Sequence, residues 1–185
     1  MKMKIYIIGV GLIGGSFAME MRKLFPKSTI IGIDKSENNL NKAHELSIID
    51  KKSCLSEISN ADIILVSVPV KSIINLLPNI LDKVNKNTLV IDFGSTKNSI
   101  CNVIKDHPNR ENFLATHPIA GTEFSGPTAA HKGLFVNKNI IICDKHRTNQ
   151  SRLKIALKIF KSMKMKISYM NPDSHDKHIA YVSHL

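Results

Sequence analysis

The stretch Lys4-Ile-Tyr-Ile-Ile-Gly9-Val-Gly11-Leu-Ile-Gly14-Gly-Ser-Phe-Ala-Met-Glu-Met-Arg22 decides the fold that we predict for this chain. It opens with a continuous apolar run, residues 5–8, of the kind that is buried on both faces of a parallel sheet. After the glycines, apolar residues recur at helical spacing, at Leu12, Phe17, Met21 and Leu24. A strand, a glycine-rich turn and a helix in this order indicate the start of a βαβ unit.

Three glycines of this stretch form the pattern G-x-G-x-x-G. Gly9 permits the tight turn, Gly11 lets the backbone approach a pyrophosphate, and Gly14 lets the helix pack closely on the strand. A second apolar run, residues 28–33, ends in Asp34, about 20 residues beyond the last glycine, where an acid accepts hydrogen bonds from ribose hydroxyls. The pattern predicts dinucleotide binding, with NAD as the cofactor because Asp34 repels a 2′-phosphate. A glycine-rich turn in another kind of α/β protein is the alternative.

Apolar runs continue along the chain and alternate with segments of helical periodicity, such as residues 36–46 and 70–84. This alternation predicts an α/β fold with a doubly wound, mainly parallel sheet of the Rossmann type. Eight strands are expected, at residues 5–8, 28–33, 47–50, 61–68, 88–93, 112–116, 139–143 and 166–169.

In such a sheet, ligands bind beyond the carboxyl ends of the strands. The rule selects three loops, at residues 68–70, 94–97 and 116–123. Together with the glycine turn they give the expected cofactor contacts: Gly9, Gly11, Leu12, Ile13, Gly14, Asp34, Val68, Pro69 and Ser95.

His117 stands at the end of the sixth predicted strand and is held in place by Pro118. Its near-neutral pKa suits it to accept a proton from a substrate hydroxyl during hydride transfer. Ser95, which follows the neighbouring strand, is expected to hydrogen-bond the imidazole and to fix its orientation. A histidine at a strand end is also consistent with a loop residue or a buried structural residue.

Length and composition set the class of protein. The chain has 185 residues, with 43% hydrophobic and 22% charged residues, which suits one domain or one domain and the start of another. No apolar run is long enough to span a bilayer, and the N-terminus is already a strand rather than a signal peptide, so we expect a cytoplasmic protein without membrane contact. Three separated cysteines, Cys54, Cys101 and Cys143, indicate reduced, buried thiols.

The net charge is +11, and no acid occurs between residues 145 and 166. That segment fits either a nucleic-acid-binding patch or the solvated face of a helix. We favour the helix and expect no nucleic acid as a partner, because no aromatic residues interleave the charges. The buried stripe would be Leu153, Ala156, Leu157, Phe160 and Met163, with Arg152, Lys154, Lys158 and Lys161 mostly outside it.

Further motifs accompany the glycine pattern and Val68-Pro69. They are Asp92-Phe-Gly-Ser95-Thr-Lys97; His117-Pro-Ile-Ala-Gly-Thr-Glu123-Phe-Ser-Gly126; and Asp173-Ser-His175-Asp176 with Ser183-His184-Leu185. Together they resemble the prephenate dehydrogenase family over essentially the whole chain. The resemblance implies NAD-dependent oxidative decarboxylation of prephenate to 4-hydroxyphenylpyruvate in tyrosine biosynthesis, or the same reaction on arogenate.

The resemblance also implies roles for single residues. His117 matches the catalytic histidine, and Ser95 matches the serine that bridges it to the nicotinamide region. Thr122, Glu123 and Ser183 match residues of the substrate pocket.

Three further polar residues are given structural roles. We expect Lys97 to be a surface lysine in the first turn of a helix rather than a catalytic group. His175 and Asp176 are expected to cap and pack the start of the last helix rather than to bind a metal with His178, and no metal site is predicted.

The predicted domain division places an NAD-binding Rossmann-type domain at residues 1–170 and the start of a connecting helix at 171–185. In the family that helix leads to a helical domain for dimerisation and substrate binding, so we expect a homodimer formed through that domain and a fragment that binds NAD without turning over prephenate. Two alternatives stay open, a related hydroxyacid dehydrogenase and a non-enzymatic NAD-binding module.

Overall fold

The computed structural model describes residues 2–182. Within them, strands alternate with helices along most of the chain. The strands are β1 (Lys4–Ile8), β2 (Thr29–Ile33), β3 (Lys51–Lys52), β4 (Ile63–Val66), β5 (Leu89–Asp92), β6 (Phe113–Pro118), β7 (Asn139–Cys143) and β8 (Lys166–Met170). The α-helices are α1 (Leu12–Leu24), α2 (Glu37–Glu45), α3 (Val70–Lys83), α4 (Asn98–Val103), α5 (Gln150–Ser162) and α6 (Pro172–Val182).

All of these strands lie in one sheet, in the order β3-β2-β1-β4-β5-β6-β7-β8. The first six are parallel, in the strand order 3-2-1-4-5-6 of a dinucleotide-binding Rossmann fold. Strand β7 runs antiparallel to β6, and β8 is parallel to β7. The prediction of a doubly wound, mainly parallel sheet is confirmed.

The core lies on both faces of this sheet, because the central strands are buried on both sides. On one face α1 and α5 pack through residues such as Phe17 and Phe160, and on the other α3 packs through Ile73 and Leu77. Phe17 also packs edge-on against Phe93, with the ring centroids 5.3 Å apart, which joins α1 to the end of β5. Burial of these apolar surfaces holds the glycine turn and the strand ends in fixed positions.

The prediction of the third strand at residues 47–50 was wrong, because β3 begins after these residues. Ser47 adopts a left-handed φ of 55° and ends α2, and the Ile48 N–H then bonds back to the Ala43 carbonyl at 2.9 Å. Residues 48 and 49 therefore turn inward as buried side chains. Pairing with β2 begins only afterwards, so the strand is limited to Lys51–Lys52.

The long connection from β6 to β7 is tied to α1 by two buried polar side chains. The Ser16 hydroxyl accepts a hydrogen bond from the His131 N–H at 3.0 Å, and the Glu20 carboxylate accepts one from the Gly133 N–H at 2.7 Å. Phe135 follows, fully buried against Phe17. These contacts fix the start of β7 at the same edge of the sheet as the end of β6.

Two expectations about surface and core need correction. Cys101 and Cys143 are buried free thiols as expected, but Cys54 is exposed, because it lies in the loop after β3 rather than in an apolar element. Arg152 is buried rather than outside the α5 stripe, and its guanidinium reaches the Glu111 carboxylate at 3.6 Å. No helix in residues 2–182 has both the length and the apolar content that a membrane crossing requires.

Candidate active site

The glycine turn joins β1 to α1 in the geometry that the pattern predicts. Gly9 has a φ of +91°, and a Cβ atom there would lie 2.2 Å from the Ser67 carbonyl oxygen, so only glycine fits. At Gly11 an added Cβ would meet no atom within 4 Å, because that position faces open space. Gly11 also caps α1 without any side-chain hydrogen bond, and the first turn carries no acid. The N–H groups in the first turn of α1 are therefore available to an anion.

Asp34 lies across from this turn, at the end of β2. Its carboxylate accepts hydrogen bonds from the Val10 N–H at 3.0 Å and from the Ser36 N–H at 2.9 Å. These two bonds fix the orientation of the carboxylate beside the glycine turn. The Asp34 carboxylate, which can accept hydrogen bonds from ribose hydroxyls, thus lies close to backbone N–H groups that can bind a phosphate, as the sequence indicates.

A cleft of about 760 Å³ runs along this edge of the sheet. Its lining includes five of the predicted cofactor contacts and one residue of the loop after β6: Gly9, Gly11, Asp34, Val68, Pro69 and Gly126. The open space over Gly11, the uncapped helix start and Asp34 fit a dinucleotide in chemistry as well as in size. Leu12, Ile13 and Gly14 form the first turn of α1 behind the glycines.

A second cleft, of about 400 Å³, lies at the end of β6 and is lined by His117, Pro118, Gly121, Lys138 and Ile179, among others. The loop after β6 borders both clefts, since residues 119–121 line this one and residues 125–126 line the dinucleotide cleft. Strands β4 and β6 are two positions apart in the sheet, so their ends are separated by about 10 Å. His117 therefore lies next to the end of the dinucleotide cleft.

The His117 ring is hydrogen-bonded to a second histidine. His117 Nδ1 lies 3.0 Å from His175 Nε2, and His175 Nδ1 lies 2.7 Å from an Asp176 carboxylate oxygen. His175 is fully buried at the start of α6. Within residues 2–182, His117 Nε2 has no hydrogen-bond partner. Three side chains thus form a chain of hydrogen bonds that ends in the cleft.

The acid at one end of this chain fixes the direction of its hydrogen bond with His175. A carboxylate only accepts hydrogen bonds, so His175 Nδ1 carries a proton and donates it to Asp176. In the tautomer in which only Nδ1 of His175 is protonated, its Nε2 accepts a hydrogen bond from the His117 Nδ1–H. His117 Nε2 is left with a free lone pair, which is the state that a general base requires.

The electrostatics favour this neutral state of His117. Burial, the Lys97 ammonium and His175 together lower the pKa of His117 from 6.5 to about 4, although Asp176 opposes the shift. For Asp176, burial alone raises the pKa, but hydrogen bonds from His175, Asn98 and Lys97 outweigh it and lower the pKa below its ordinary value. At neutral pH the site therefore holds a carboxylate and an uncharged His117.

Lys97 is fully buried, which contradicts the expectation of a surface lysine. Its ammonium forms an ion pair with Asp92 and donates to the Thr116 carbonyl at 2.8 Å. Burial raises the pKa of the Asp92 carboxyl, and the Lys97 ammonium opposes that rise. A charged residue at the end of a buried strand needs a partner, so Asp92 was the signal in the sequence that pointed to a buried cation.

Asp176 does cap a helix start, but not that of its own helix. Its two carboxylate oxygens accept hydrogen bonds from the Lys97 N–H at 2.6 Å and the Asn98 N–H at 2.9 Å, at the beginning of α4. The start of α6 is capped by Asn171 instead, which accepts from the Ser174 N–H at 2.7 Å. The expected capping and packing role of this pair was therefore incomplete, because it omitted the contact with His117.

The other predicted site residues lie at the same edge. Ser95 is exposed in the loop between β5 and α4, and within residues 2–182 it forms no hydrogen bond with His117, whose Nδ1 pairs with His175 instead. Thr122 and Glu123 are exposed in the loop that borders both clefts. Ser183 lies outside the described residues. In the described part of the chain, no three His, Cys, Asp or Glu side chains are grouped so that they could hold a metal ion.

Comparison of the sequence with known protein families also indicates a nucleotide-binding domain. The family model described as prephenate dehydrogenase, nucleotide-binding domain, matches residues 17–169. A prephenate dehydrogenase of Bacillus subtilis (strain 168) is 31% identical over all of this chain, which spans 51% of that protein.

Two solved structures are similar over 98% of this chain and 64% of their own length. One is prephenate dehydrogenase from Aquifex aeolicus in complex with hydroxyphenyl propionate and NAD+, at a TM-score of 0.87 and 29% identity. The other is Synechocystis arogenate dehydrogenase, at a TM-score of 0.85 and 28% identity.

Proposed function

The chain belongs to the prephenate dehydrogenase family, and from that premise we propose that it is the nucleotide-binding part of an enzyme that oxidatively decarboxylates prephenate with NAD. The observation that carries the proposal is the hydrogen-bonded series His117, His175 and Asp176 beside the dinucleotide cleft. It supplies an oriented, uncharged base where a substrate hydroxyl would lie.

His117 acts as the general base in the proposed reaction. Its Nε2 accepts the proton of the ring hydroxyl while a hydride leaves the same carbon. The bond to the ring carboxylate then breaks, its electron pair completes the aromatic ring, and carbon dioxide departs. His117 returns the proton to the ring oxygen, so the products are 4-hydroxyphenylpyruvate, carbon dioxide and the reduced cofactor, with no net proton released.

Asp176 and His175 act through His117. When His117 Nε2 gains the proton, the imidazolium is stabilised by the hydrogen bond to His175 and, through it, by the Asp176 carboxylate. Lys97 opposes this charge, since its ammonium lowers the pKa of His117. The balance keeps His117 a weak enough base to be free of a proton at neutral pH and to give the proton back.

The glycine turn and Asp34 would hold the cofactor. NAD, when bound, supplies the acceptor for the hydride. The free N–H groups after Gly11 would bind the pyrophosphate, and Asp34 would accept hydrogen bonds from the adenosine ribose. Val68 and Pro69 line the cleft after β4, and Ser95 follows β5, which lies between β4 and the strand that carries His117; the nicotinamide would lie in this region.

Arogenate is the second candidate substrate, because the Synechocystis arogenate dehydrogenase is about as similar in structure as the Aquifex enzyme. The same groups of this chain would act on it, since both substrates carry the ring hydroxyl and the ring carboxylate. Their side chains differ, and residues 122 and 123 in the bordering loop are the proposed contacts that would tell them apart.

The test is NAD binding by calorimetry together with NADH formation from prephenate and from arogenate. It should be run on the 185-residue chain and on a form that also carries the part of its relatives that this chain does not span. Replacing His117 with Asn is expected to lower turnover about a hundredfold or more and to leave NAD affinity unchanged. His178→Asn, an exposed histidine of the same helix as His175, is the control. Unchanged turnover in His117→Asn would remove His117 from the mechanism.

A further inference from the structure

We propose that Lys138 binds a carboxylate of the substrate and makes the His117 cleft selective for a dianion, prephenate, over arogenate with its additional ammonium group. The inference rests on the proposed function and assigns a specificity residue to it. Lys138 immediately precedes β7 (Asn139–Cys143). No pattern in the sequence marks it as part of a site.

The reversal of β7 brings Lys138 to this cleft. Because β7 is antiparallel to β6, its first residues lie at the edge where β6 ends. The Ile119 N–H donates to the Asn139 carbonyl at 2.8 Å, which joins the segment after His117 to the segment after Lys138. Lys138 lines the same cleft of about 400 Å³ as His117. The anchoring of the preceding loop on Ser16 and Glu20 keeps this position fixed.

Lys138 is the charged group of this cleft. Among the described residues that line it, His117 is uncharged at neutral pH, since its pKa is about 4, and the others are apolar or glycine. Lys97 is buried and paired with Asp92. The Lys138 side chain is exposed, and no ion pair involves it within residues 2–182. Its ammonium is therefore free to bind an anion.

The surroundings strengthen the positive potential. The Lys166 N–H donates to the Lys138 carbonyl at 2.9 Å, and the Asn137 N–H donates to the Lys164 carbonyl at 3.0 Å, so the backbone segments that carry three lysines adjoin at this corner of the sheet. The sequence has no Asp or Glu from residue 124 to 143 or from 145 to 166, and Glu123, in the loop after the lining residues 119–121, is not among the residues that line the cleft. A cleft lined by one sign of charge attracts and orients ligands of the opposite sign.

The two candidate substrates differ in charge at neutral pH. Prephenate carries two carboxylates and no cation, whereas arogenate carries the same number of carboxylates and an ammonium. Lys138 attracts both carboxylates and repels the ammonium. Its contribution should therefore be larger for prephenate, and it should weaken as salt screens the interaction.

The experiment measures binding to the NAD-loaded chain. Prephenate and arogenate are titrated by calorimetry, at low and high salt, into the wild type, Lys138→Gln, Lys138→Arg and the control Lys154→Gln. Lys154 is an exposed lysine on α5, away from both clefts, so the control makes the same change in net charge. NAD affinity of each variant reports whether the fold is intact.

We expect Lys138→Gln to weaken prephenate binding about five- to tenfold at low salt and to flatten its salt dependence, with a change of about twofold or less for arogenate. Lys138→Arg should keep most of the affinity. Equal prephenate affinity in Lys138→Gln and Lys154→Gln, or no binding of prephenate to the NAD-loaded wild type, would overturn the inference while NAD binding stands. Loss of NAD binding in the wild type would instead overturn the proposed function, and this inference with it.

Discussion

His117 Nδ1 lies 3.0 Å from His175 Nε2, although 58 positions separate the two residues in the chain. His175 is in turn bonded to Asp176, whose other contacts are the backbone N–H groups of Lys97 and Asn98. The imidazole at the end of β6 is thus oriented by the start of α6, and α6 is held to the start of α4. The orientation of the proposed base depends on the docking of one helix.

We expect His175→Gln to change the function of His117 without changing NAD binding. Glutamine cannot hydrogen-bond to both His117 Nδ1 and the Asp176 carboxylate in the geometry of His175. The His117 ring therefore loses its fixed tautomer. Turnover of the longer form, which also carries the part of the relatives that this chain does not span, should fall about ten- to a hundredfold. This is the effect expected when a histidine base loses the group that orients it. Nitrogen NMR shifts of the His117 ring report the tautomer directly in the chain itself.

His178→Gln, in the same helix but exposed, is the matched control. A His175→Gln variant whose His117 shifts and turnover equal those of the control would show that His175 only fills space.

The titration of His117 is the second prediction. Its pKa of about 4 lies below the ordinary 6.5, so between these values the unfolded chain binds the proton more readily than the folded chain. The free energy of unfolding should therefore rise with pH across this window, by about 1–2 kcal/mol after allowance for partial solvent exposure.

Proton NMR gives the midpoint for His117, and denaturant unfolding at about pH 5 and about pH 7 gives the stability change. The comparison with His117→Asn isolates this residue from the other titrating groups of the chain. A midpoint near 6.5, or the same pH dependence in both proteins, would contradict the prediction.

Lys97 and Asp92 form a buried pair, so removing one partner should be costly. Lys97→Met leaves Asp92 without its cation and is expected to destabilise the chain by about 3–5 kcal/mol. The double variant Asp92→Asn/Lys97→Met should recover part of that loss, because it removes the unpaired charge. Lys71→Met, an exposed lysine on α3, serves as the control, and urea unfolding measures all of them. A Lys97→Met effect as small as the control's would mean that the pair contributes nothing to stability.

Asp34 is expected to set the preference for NAD. Asp34→Ala should weaken NAD binding about tenfold or more, since hydrogen bonds to a charged group contribute about 1.5–3 kcal/mol. NADP affinity should change less, because a repulsion is removed together with the hydrogen bonds. Calorimetric titration of both cofactors tests this, with Asp106→Ala, an exposed acid far along the chain, as the control. Equal affinity of the wild type for NAD and NADP would refute the assignment.

Local patterns determined the order of the elements and the nucleotide-binding turn. The positive φ of Gly9, the open space at Gly11 and the place of Asp34 follow from a strand, a tight turn and a helix that are adjacent in sequence. His117 at a strand end was also visible, because the strand that carries it and the proline that follows it are local features. The sequence alone was sufficient wherever the deciding contacts lie within one βαβ unit.

Tertiary structure decided which distant polar groups meet. Lys97 appeared to belong to the surface because it follows a polar turn, yet burial against Asp92 and the Thr116 carbonyl follows from the pairing of β5 with β6. His175 reaches His117 only because α6 packs at that edge, and Lys138 reaches the cleft only because β7 reverses direction. Periodicity in a sequence reports which face of an element is buried, but it carries no information about which elements lie side by side. The positions of these cations and of the second histidine therefore required the three-dimensional fold.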